Sequence, residues 1–319
     1  MSRRVLVTGG AGFIGSHLVD RLVQSGEQVI VIDNESTGSA TSVKSRVSEY
    51  LRCDVSHVKD VQRAFSHRPE VVLHIAGQAS TFKSFDNPED DLRTNVQGTL
   101  NVLKACMEFG VQRLLYASSM VVYGHPAALP ISEDAAASPI SYYGVTKYAA
   151  ERYVHATAER TDLGFPFHVT SFRMFNVYGE GQSLTNPYQG VMGIFIGNVL
   201  RGEPITIFGD GEQTRDFIYI QDVVDAWIAA IDNPQAYGQV FNLGSGTRRS
   251  INDLAHLVIT SLRQAPGNHG VVYAVPRPGD QRHMEADISK ARTILGWAPK
   301  TSFEEGLKRT IAWATQNRP

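Results

Sequence analysis

The residues best suited to chemistry in this sequence are one tyrosine, one lysine and a pair of serines. Tyr143 and Lys147 stand four positions apart, so they share one face if the segment is helical. Ser118 and Ser119 follow an apolar run, which places them at the carboxyl end of a predicted strand, where parallel sheets bind ligands. A tyrosine with its ordinary pKa of about 10 is a poor base. A neighbouring ammonium favours the phenolate, so we expect Lys147 to lower the pKa of Tyr143.

A glycine-rich turn near the start of the chain predicts a phosphate site. Gly9, Gly12 and Gly15 lie between an apolar run, residues 5–7, and a segment of helical spacing, residues 16–22. An all-apolar run is typical of a strand buried on both faces of a parallel sheet. Glycines permit the turn, let a pyrophosphate approach the amides at the helix N-terminus, and let helix and strand pack closely.

Asp33 extends this pattern to a dinucleotide. It ends a second apolar run, residues 28–32, at a position where a carboxylate can accept hydrogen bonds from the hydroxyls of an adenosine ribose. The same carboxylate opposes a 2′-phosphate by about 4 kcal/mol at a separation of about 4 Å. The sequence therefore favours NAD over NADP, and the positive nicotinamide ring would add to the effect of Lys147 on Tyr143. After the third predicted strand, Asp54 and Val55 are placed to meet the adenine.

The composition is that of a globular protein and argues against several other classes. The chain has 319 residues, 42% of them hydrophobic and 19% charged, with a formal net charge of −2. This gives no support for nucleic-acid binding, which usually requires a basic face. No apolar run reaches membrane-spanning length, and no signal peptide is expected. Cys53 and Cys106 lack metal-site spacing and are expected as buried, reduced thiols, which favours a cytoplasmic location.

Short apolar strands alternate with amphipathic helices through the first half of the chain. Further strands are predicted at 50–53, 71–76, 113–117 and 167–172, and helices at 58–65, 88–109 and 143–159. This alternation predicts an α/β fold with a doubly wound parallel sheet. The second half breaks the alternation, with a loop at 178–188, a strand at 205–208, and helices at 191–201, 223–231, 251–262 and 303–313. We expect two lobes that share one chain.

Several motifs together carry a resemblance to a known family. In chain order they read TGGAGFIG, the Asp33 strand end, SSMVVYG, YGVTK, FNVYG, GDGEQTRDFIY and RPGD. Over nearly its whole length the chain resembles the extended short-chain dehydrogenase/reductase superfamily, and its later motifs resemble the branch of UDP-glucose 4-epimerase-type nucleotide-sugar epimerases. The resemblance implies a Rossmann-type NAD-binding domain over residues 1–173, to which a segment near 216–242 returns. It also implies a smaller mixed α/β lobe over residues 174–319 that binds the nucleotide sugar.

The resemblance implies tightly bound NAD and epimerisation at C4 with no net redox change. Tyr143 would take the proton of the sugar 4-hydroxyl, Ser119 would relay it, and Lys147 would also hold the nicotinamide ribose. The 4-keto sugar would then turn and take its hydrogen back on the other face. The positions implied to line the cofactor are Gly9, Gly12, Phe13, Ile14, Gly15, Asp33, Asn34, Asp54, Val55, Ala76, Gly77, Asn95, Ser118, Tyr143, Lys147 and Phe175.

On the substrate side, the resemblance implies that Arg215 and Arg277 hold the diphosphate, Asn176 the diphosphate or sugar, and Asp280 the ribose. Guanidinium forks match phosphate oxygens. Met284 falls where the family limits the bulk of the C2 substituent, and an adaptable methionine leaves room for an N-acetyl group. No metal is expected. The resemblance also implies a homodimer formed through the helices at 88–109 and 143–159, although their apolar faces could equally serve the sheet alone.

Departures from neighbouring branches narrow the reaction. The dehydratases that this chain resembles follow their catalytic hydroxyl residue with Asp-Glu, and decarboxylating relatives use a nearby glutamate. Here Met120 and Val121 stand instead, and neither can transfer a proton. Glucuronate epimerases tend to carry threonine in place of Asn176 and arginine in place of Ser183.

The sequence thus favours NAD-dependent 4-epimerisation of an uncharged UDP-hexose, either UDP-glucose and UDP-galactose or their N-acetyl forms. The alternatives are another nucleotide-sugar enzyme of the same fold, namely a dehydratase, a reductase or a UDP-glucuronate epimerase. A non-catalytic dinucleotide-sensing protein is a third hypothesis. Such proteins often lose the tyrosine or the lysine, whereas Tyr143 and Lys147 are both present.

Overall fold

A seven-stranded parallel sheet forms the larger part of the molecule. The computed structural model describes residues 2–188, 190–262, 267 and 270–318. The strands of this sheet are β1 (Arg4–Thr8), β2 (Gln28–Asp33), β3 (Glu49–Arg52), β4 (Val71–His74), β5 (Arg113–Ser119), β6 (His168–Met174) and β10 (Gln239–Leu243). Their order is β10-β6-β5-β4-β1-β2-β3. The strand order therefore reverses between β1 and β4, which creates a crevice at the carboxyl ends of these two strands.

Helices cover both faces of this sheet. One face carries α1 (Phe13–Gln24) and α8 (Ile220–Ile231), and the other carries α2 (Val58–Phe65), α5 (Gly98–Phe109) and α6 (Tyr142–Ala158). The alternation of side chains along β1 shows the two layers, because Val5 and Val7 belong to one buried core and Leu6 belongs to the other. This is the doubly wound α/β arrangement, and the predicted fold class is confirmed.

A smaller group of elements stands over the carboxyl ends of the large sheet. It contains a three-stranded sheet of β7 (Asn176–Tyr178), β9 (Thr214–Tyr219) and β11 (Arg248–Ser250), and a parallel pair of β8 (Ile205–Phe208) and β12 (Val271–Ala274). Its helices are α7 (Val191–Leu200), α9 (Ile251–Ser261) and α11 (Phe303–Gln316), while α10 (Ser289–Leu295) packs near β10.

The strands predicted in the first half agree with the structure to within two residues. The helix predicted at 88–109 is present with these bounds, but it is not α-helical throughout. It comprises α4 (Pro88–Leu92), a π-helical turn (Arg93–Gln97) and α5, and a short helix that was not predicted, α3 (Thr81–Asp86), precedes it. Apolar spacing cannot reveal one extra residue in a turn, whereas π-helical turns often mark functional sites.

The sequence also left β7, β9, β10, β11, β12 and α10 unpredicted. These elements are short, and the polar residues within β9 and β11 obscure the alternation expected of strands. Within the described residues, none of the helices combines the length and the hydropathy that crossing a membrane requires.

Candidate active site

A cleft of about 970 Å³ opens at the crevice between the large sheet and the smaller lobe. Its walls combine the glycine turn after β1, the end of β5, the first turns of α6, and residues of β7 and β8. Nearly all the residues implied for the cofactor line it, as do Asn176, Arg215, Arg277 and Asp280. The fold therefore brings most of the predicted site residues, which span more than 250 positions of the chain, into one cavity.

The backbone around the glycine turn leaves no space for a Cβ atom at Gly9 or Gly15. A Cβ on Gly15 would lie 2.1 Å from the carbonyl oxygen of Gly9, and Gly9 itself has φ +69° with its Cβ position 2.8 Å from the backbone of Ala76. Gly12 is the N-cap of α1, where no side chain of the described residues caps the amides and no acidic residue occupies the first turn. These amides are free to bind an anion such as a pyrophosphate.

Asp33 organises the next part of the cleft. Its Oδ2 accepts a hydrogen bond from the amide of Ala11 at 3.0 Å, and its Oδ1 accepts one from the amide of Glu35 at 2.8 Å. Burial raises the pKa of this carboxyl. Each oxygen keeps a second lone pair, which leaves acceptor capacity for ribose hydroxyls. Beside it, Asn34 donates to Asp54 at 3.1 Å, so this wall of the cleft fits the adenosine half of a dinucleotide.

Tyr143, Ser119 and Lys147 meet at the centre of the cleft. Ser141 caps α6 by accepting from the amide of Gly144 at 3.1 Å, which starts the helix one turn before Lys147. The Tyr143 side chain lies near Ser119, at the end of β5, and both line the cleft. The Lys147 ammonium donates to the carbonyl of Ala117.

The lowered pKa predicted for Tyr143 depends on the nicotinamide ring as well as on Lys147, and it stays a prediction. Within the chain, burial raises the pKa of Tyr143 to about 12, while the neighbouring Ser119 lowers it. Burial also lowers the pKa of Lys147 to about 8. The ammonium is directed at the Ala117 carbonyl and the ring of Tyr116, whose centroid is 4.5 Å away, so it does not prepare the phenolate alone.

Ser118 lines the cleft, but its hydroxyl is committed to a buried network. It donates to Glu151 Oε2 at 2.6 Å, and the same carboxylate holds the guanidinium of Arg173 through contacts of 2.6 and 3.1 Å. The Arg173 guanidinium also donates to Tyr123 at 3.0 Å. Neighbouring serines of one strand end thus have different roles, because alternate side chains point to opposite faces of the sheet.

Two predicted site residues do not reach the cleft wall. Asn95 is buried behind Gly77, and its amide donates to Asp91, Thr146 and the Gln78 carbonyl. Met284 is completely buried in the core beside β9, where its amide donates to the Thr214 carbonyl at 3.2 Å. The interpretation of Met284 as a limit on the C2 substituent therefore needs correction, because a side chain without exposed surface cannot contact a sugar in this geometry.

The substrate residues predicted on separate elements do come together. The Arg277 guanidinium stacks on Phe208, 3.6 Å from the ring centroid, and burial lowers its pKa. Arg215 lies in the same wall but is ion-paired with Asp280. The residues predicted to hold the diphosphate and the ribose, Arg215 and Asp280, are thus paired with each other. Such a pair can reorganise around a phosphate, since a guanidinium fork can donate to a carboxylate or to a phosphate.

Unpartnered polar atoms identify candidate residues that the sequence analysis missed. Among the described residues, buried atoms without a hydrogen-bond partner include Asn176 Oδ1, Gln182 Oε1, Gln213 Oε1 and Arg277 Nε, and all four residues line the cleft. Buried polar groups are normally satisfied, so this concentration indicates a polar ligand. Gln213 belongs to the GDGEQTRDFIY motif and could have been found there, whereas Gln182 stands in a loop without a distinctive pattern.

Comparison with known proteins places this geometry in context. Residues 5–244 match the model of the NAD dependent epimerase/dehydratase family. The chain is 37% identical over 313 residues to the UDP-glucose 4-epimerase of Mycolicibacterium smegmatis, covering 97% of both proteins. It is similar to the crystal structure of UDP-glucose 4-epimerase with UDP-glucose from Thermotoga maritima, at a TM-score of 0.91 and 38% identity over 98% of this chain and 99% of that one. The chain is also similar to the structure of Thermus thermophilus UDP-glucose 4-epimerase in complex with NAD, at a TM-score of 0.89 and 35% identity. The match covers 97% of this chain and 98% of that one.

Proposed function

The chain belongs to the NAD-dependent epimerase/dehydratase family, and from this premise and the geometry of the cleft we infer that it is an NAD-dependent UDP-hexose 4-epimerase. The observation that carries the inference is the continuity of the cleft. One cavity of about 970 Å³ includes the glycine turn before α1, Tyr143 and Arg277 in its lining, and so joins the proposed dinucleotide site to the proposed nucleotide-sugar site.

We assign the adenosine half of NAD to the cleft wall at Asp33 and its pyrophosphate to the amides after Gly12. Lys147 is assigned to the nicotinamide ribose. When bound, NAD supplies reversible removal of hydrogen from the sugar carbon. The residues of this chain move the proton. Tyr143 and Ser119 are neighbours in the cleft, and we assign to their two hydroxyl groups the path from the buried phenol to a sugar hydroxyl.

The reaction requires Tyr143 to become a base, and its pKa of about 12 in the chain alone opposes this. The positive ring of the cofactor and the Lys147 ammonium both favour the phenolate when they lie beside it. We therefore propose that Tyr143 becomes an effective base only when the cofactor is bound.

The nucleotide sugar is assigned to the smaller lobe. Arg277 and Arg215 supply guanidinium forks for the diphosphate, Asp280 accepts from the ribose, and Asn176 Oδ1 has no partner in the described chain and faces the sugar or diphosphate. Met120 and Val121 line the cleft after Ser119 and offer no proton-transferring group, which favours epimerisation over dehydration.

Arg277→Ala is expected to raise KM for the UDP-sugar by about tenfold to a hundredfold, since a hydrogen bond to a charged group contributes roughly 1.5–3 kcal/mol. The kcat should change little, because the diphosphate is remote from the reacting carbon. Steady-state kinetics measure both constants. Arg282→Ala is the matched control, because Arg282 is on the same segment but is exposed and paired with Asp210. An unchanged KM for Arg277→Ala would remove Arg277 from the substrate site.

The function is tested by incubating the purified protein with UDP-glucose and separately with UDP-N-acetylglucosamine. The expected product has the mass of the substrate and the inverted configuration at C4. Loss of water from the sugar would indicate the dehydratase alternative. Accumulation of NADH in proportion to product would indicate net oxidation and reject epimerisation, and absence of any turnover would favour a dinucleotide sensor.

We also propose a homodimer formed through α5 and α6, in a protein of the cytoplasm, as its two free, buried thiols suggest. Tyr142 and Tyr153 on α6 are exposed by 50% and 47%, and Leu92 at the end of α4 by 54%. Large apolar side chains exposed on neighbouring helices are typical of an interaction surface.

Tyr153→Glu is expected to convert this dimer to a monomer, because the substitution places a charge in the interface. Sedimentation velocity measures the mass. Tyr273→Glu, which changes an equally exposed tyrosine on β12, should leave the mass unchanged. A dimer that persists in Tyr153→Glu, or a wild-type monomer, would contradict the assignment.

A further inference from the structure

We propose that the Asp91 carboxylate is the buried counter-charge of the Lys147 ammonium, and that this positioning residue sets the pH range over which Lys147 and Tyr143 can work. The inference rests on the proposed function only for its kinetic consequence. The structural part concerns how a buried cation is compensated, and it is tested without turnover.

The Lys147 ammonium is a buried charge without a direct ion pair. It donates to the Ala117 carbonyl and faces the Tyr116 ring, and none of the ion pairs found among the described residues includes it. A buried charge is unfavourable unless it is compensated. The compensating carboxylate must therefore act from the next layer of side chains.

Burial raises the pKa of the Asp91 carboxyl, whereas its hydrogen bonds and the Lys147 ammonium lower the pKa and favour the ionised form. Asp91 is buried, and all its contacts come from donors: Gln78 Nε2 at 2.6 Å, Asn95 Nδ2 at 3.1 Å and Thr146 Oγ1 at 2.6 Å. These contacts are compatible with the ionised form, because an ionised carboxylate only accepts hydrogen bonds. Asp91 belongs to none of the ion pairs in the described part of the chain, so its charge, too, has no direct partner.

The second nearby carboxylate, Glu151, is already compensated. It is paired with Arg173 at 2.6 Å and also accepts from Ser118, and both side chains of the pair are buried. Removal of Asp91 would therefore leave Lys147 with a carboxylate whose charge Arg173 largely offsets.

The Asp91 cluster, which comprises Asp91, Gln78, Asn95 and Thr146, packs directly behind the cleft wall. Thr146 precedes Lys147 in α6, and a Cβ on Gly77 would lie 2.8 Å from Asn95 Oδ1 and 3.8 Å from Lys147 Nζ. The π-helical turn that follows α4 carries Asn95 and brings it onto Asp91 and α6 together. A direct ion pair would occupy the ammonium, whereas a carboxylate held one layer back leaves it free for a ligand.

The charges around Lys147 define the sign of the effect. Asp91 and Glu151 each raise the pKa of Lys147, and Asp91 also raises that of Tyr143. His74 on β4 faces the same ammonium, and burial together with that charge lowers its pKa to about 3, so it stays neutral. Tyr116 contributes only its ring, and Asp90, next to Asp91, is partly exposed and paired with Arg93. Loss of the Asp91 charge must therefore lower both pKa values.

The test compares Asp91→Asn with the wild type and with Glu89→Gln, which removes an exposed charge from the same short helix. The pKa of Lys147 is measured by NMR titration of ¹³C-labelled lysine in the ligand-free protein, with Lys147→Met to assign the signal. Asp91→Asn is expected to lower this pKa by about one pH unit, the size expected of a neighbouring charge. Glu89→Gln should leave it unchanged. An unchanged pKa in Asp91→Asn overturns the proposal.

The kinetic consequence is tested in a separate experiment, which measures kcat as a function of pH. Both limbs of the pH profile of kcat should move to lower pH in Asp91→Asn, because the tyrosine and the lysine both lose protons more easily. If kcat fell at every pH but the profile kept its position on the pH axis, Asp91 would have only a structural role, and the proposal would be overturned. If the wild type has no epimerase activity, the proposed function fails, but the NMR titration still decides the status of Asp91.

A second pair of variants decides the question if Asp91→Asn does not fold. Thr146→Val removes the hydroxyl that donates to Asp91 and so weakens its ionised form, whereas Thr146→Ser retains that donor. We expect Thr146→Val to lower the pKa of Lys147 and Thr146→Ser to preserve it. Identical titrations for these two variants overturn the proposal.

Discussion

Tyr143→Phe is expected to lower kcat by about 10²–10⁴-fold, the usual contribution of a positioned general acid or base. The substitution removes one oxygen from a side chain that is only 8% exposed, and this oxygen is the group to which we assign proton transfer with the sugar. The ring itself remains and fills its place, so folding and NAD binding should be retained. Kinetics with the accepted UDP-hexose measure kcat, and the absorbance of bound cofactor measures NAD content.

The neighbouring residue supplies the control. Tyr142→Phe makes the same chemical change one position earlier, on a side chain that is half exposed and packs against Phe85 with a centroid separation of 5.2 Å. It should leave kcat at the wild-type value. If Tyr143→Phe retained the wild-type kcat, another group would have to transfer the proton, and the assignment of Tyr143 as the base would be rejected.

Gly15→Ala is expected to abolish stable NAD binding. Its Cβ would lie 2.1 Å from the Gly9 carbonyl oxygen and 2.8 Å from Gly10 Cα, both of which are backbone atoms of the turn that presents the amides. The turn must open to admit the methyl group, and the amides then lose their common direction toward the pyrophosphate. Overpacking of this kind costs about 1–3 kcal/mol in the free energy of unfolding. Isothermal titration with NAD and thermal unfolding measure the two effects.

Gly26→Ala distinguishes loss of the site from loss of stability. Gly26 has φ +80° but has no heavy atom within 4 Å of its Cβ position, so alanine there is strained by about 1–2 kcal/mol without a steric clash. The two variants should therefore lose similar stability, while only Gly15→Ala loses NAD. Equal NAD affinity in both variants would show that the close approach at Gly15 is not what organises the cofactor site.

Local patterns in the sequence were sufficient for the fold class, the NAD-binding turn and the catalytic tyrosine and lysine candidates. The reason is that these features depend on backbone periodicity: a buried strand shows as an apolar run, a turn as glycines, and a shared helix face as a four-residue interval. The family and the activity inferred from the motifs were confirmed on the same basis, since the motifs span the chain.

Only the tertiary structure decided which partners these side chains have. Arg215 meets Asp280 across 65 positions of sequence, Ser118 gives its hydroxyl to Glu151, and Met284 is enclosed in the core. Burial also raises the pKa of Tyr143 within the chain, an effect of solvent exclusion that residue spacing does not reveal. Such outcomes depend on distances between distant segments and on the exclusion of water, and neither quantity is encoded in the spacing of residues along the chain.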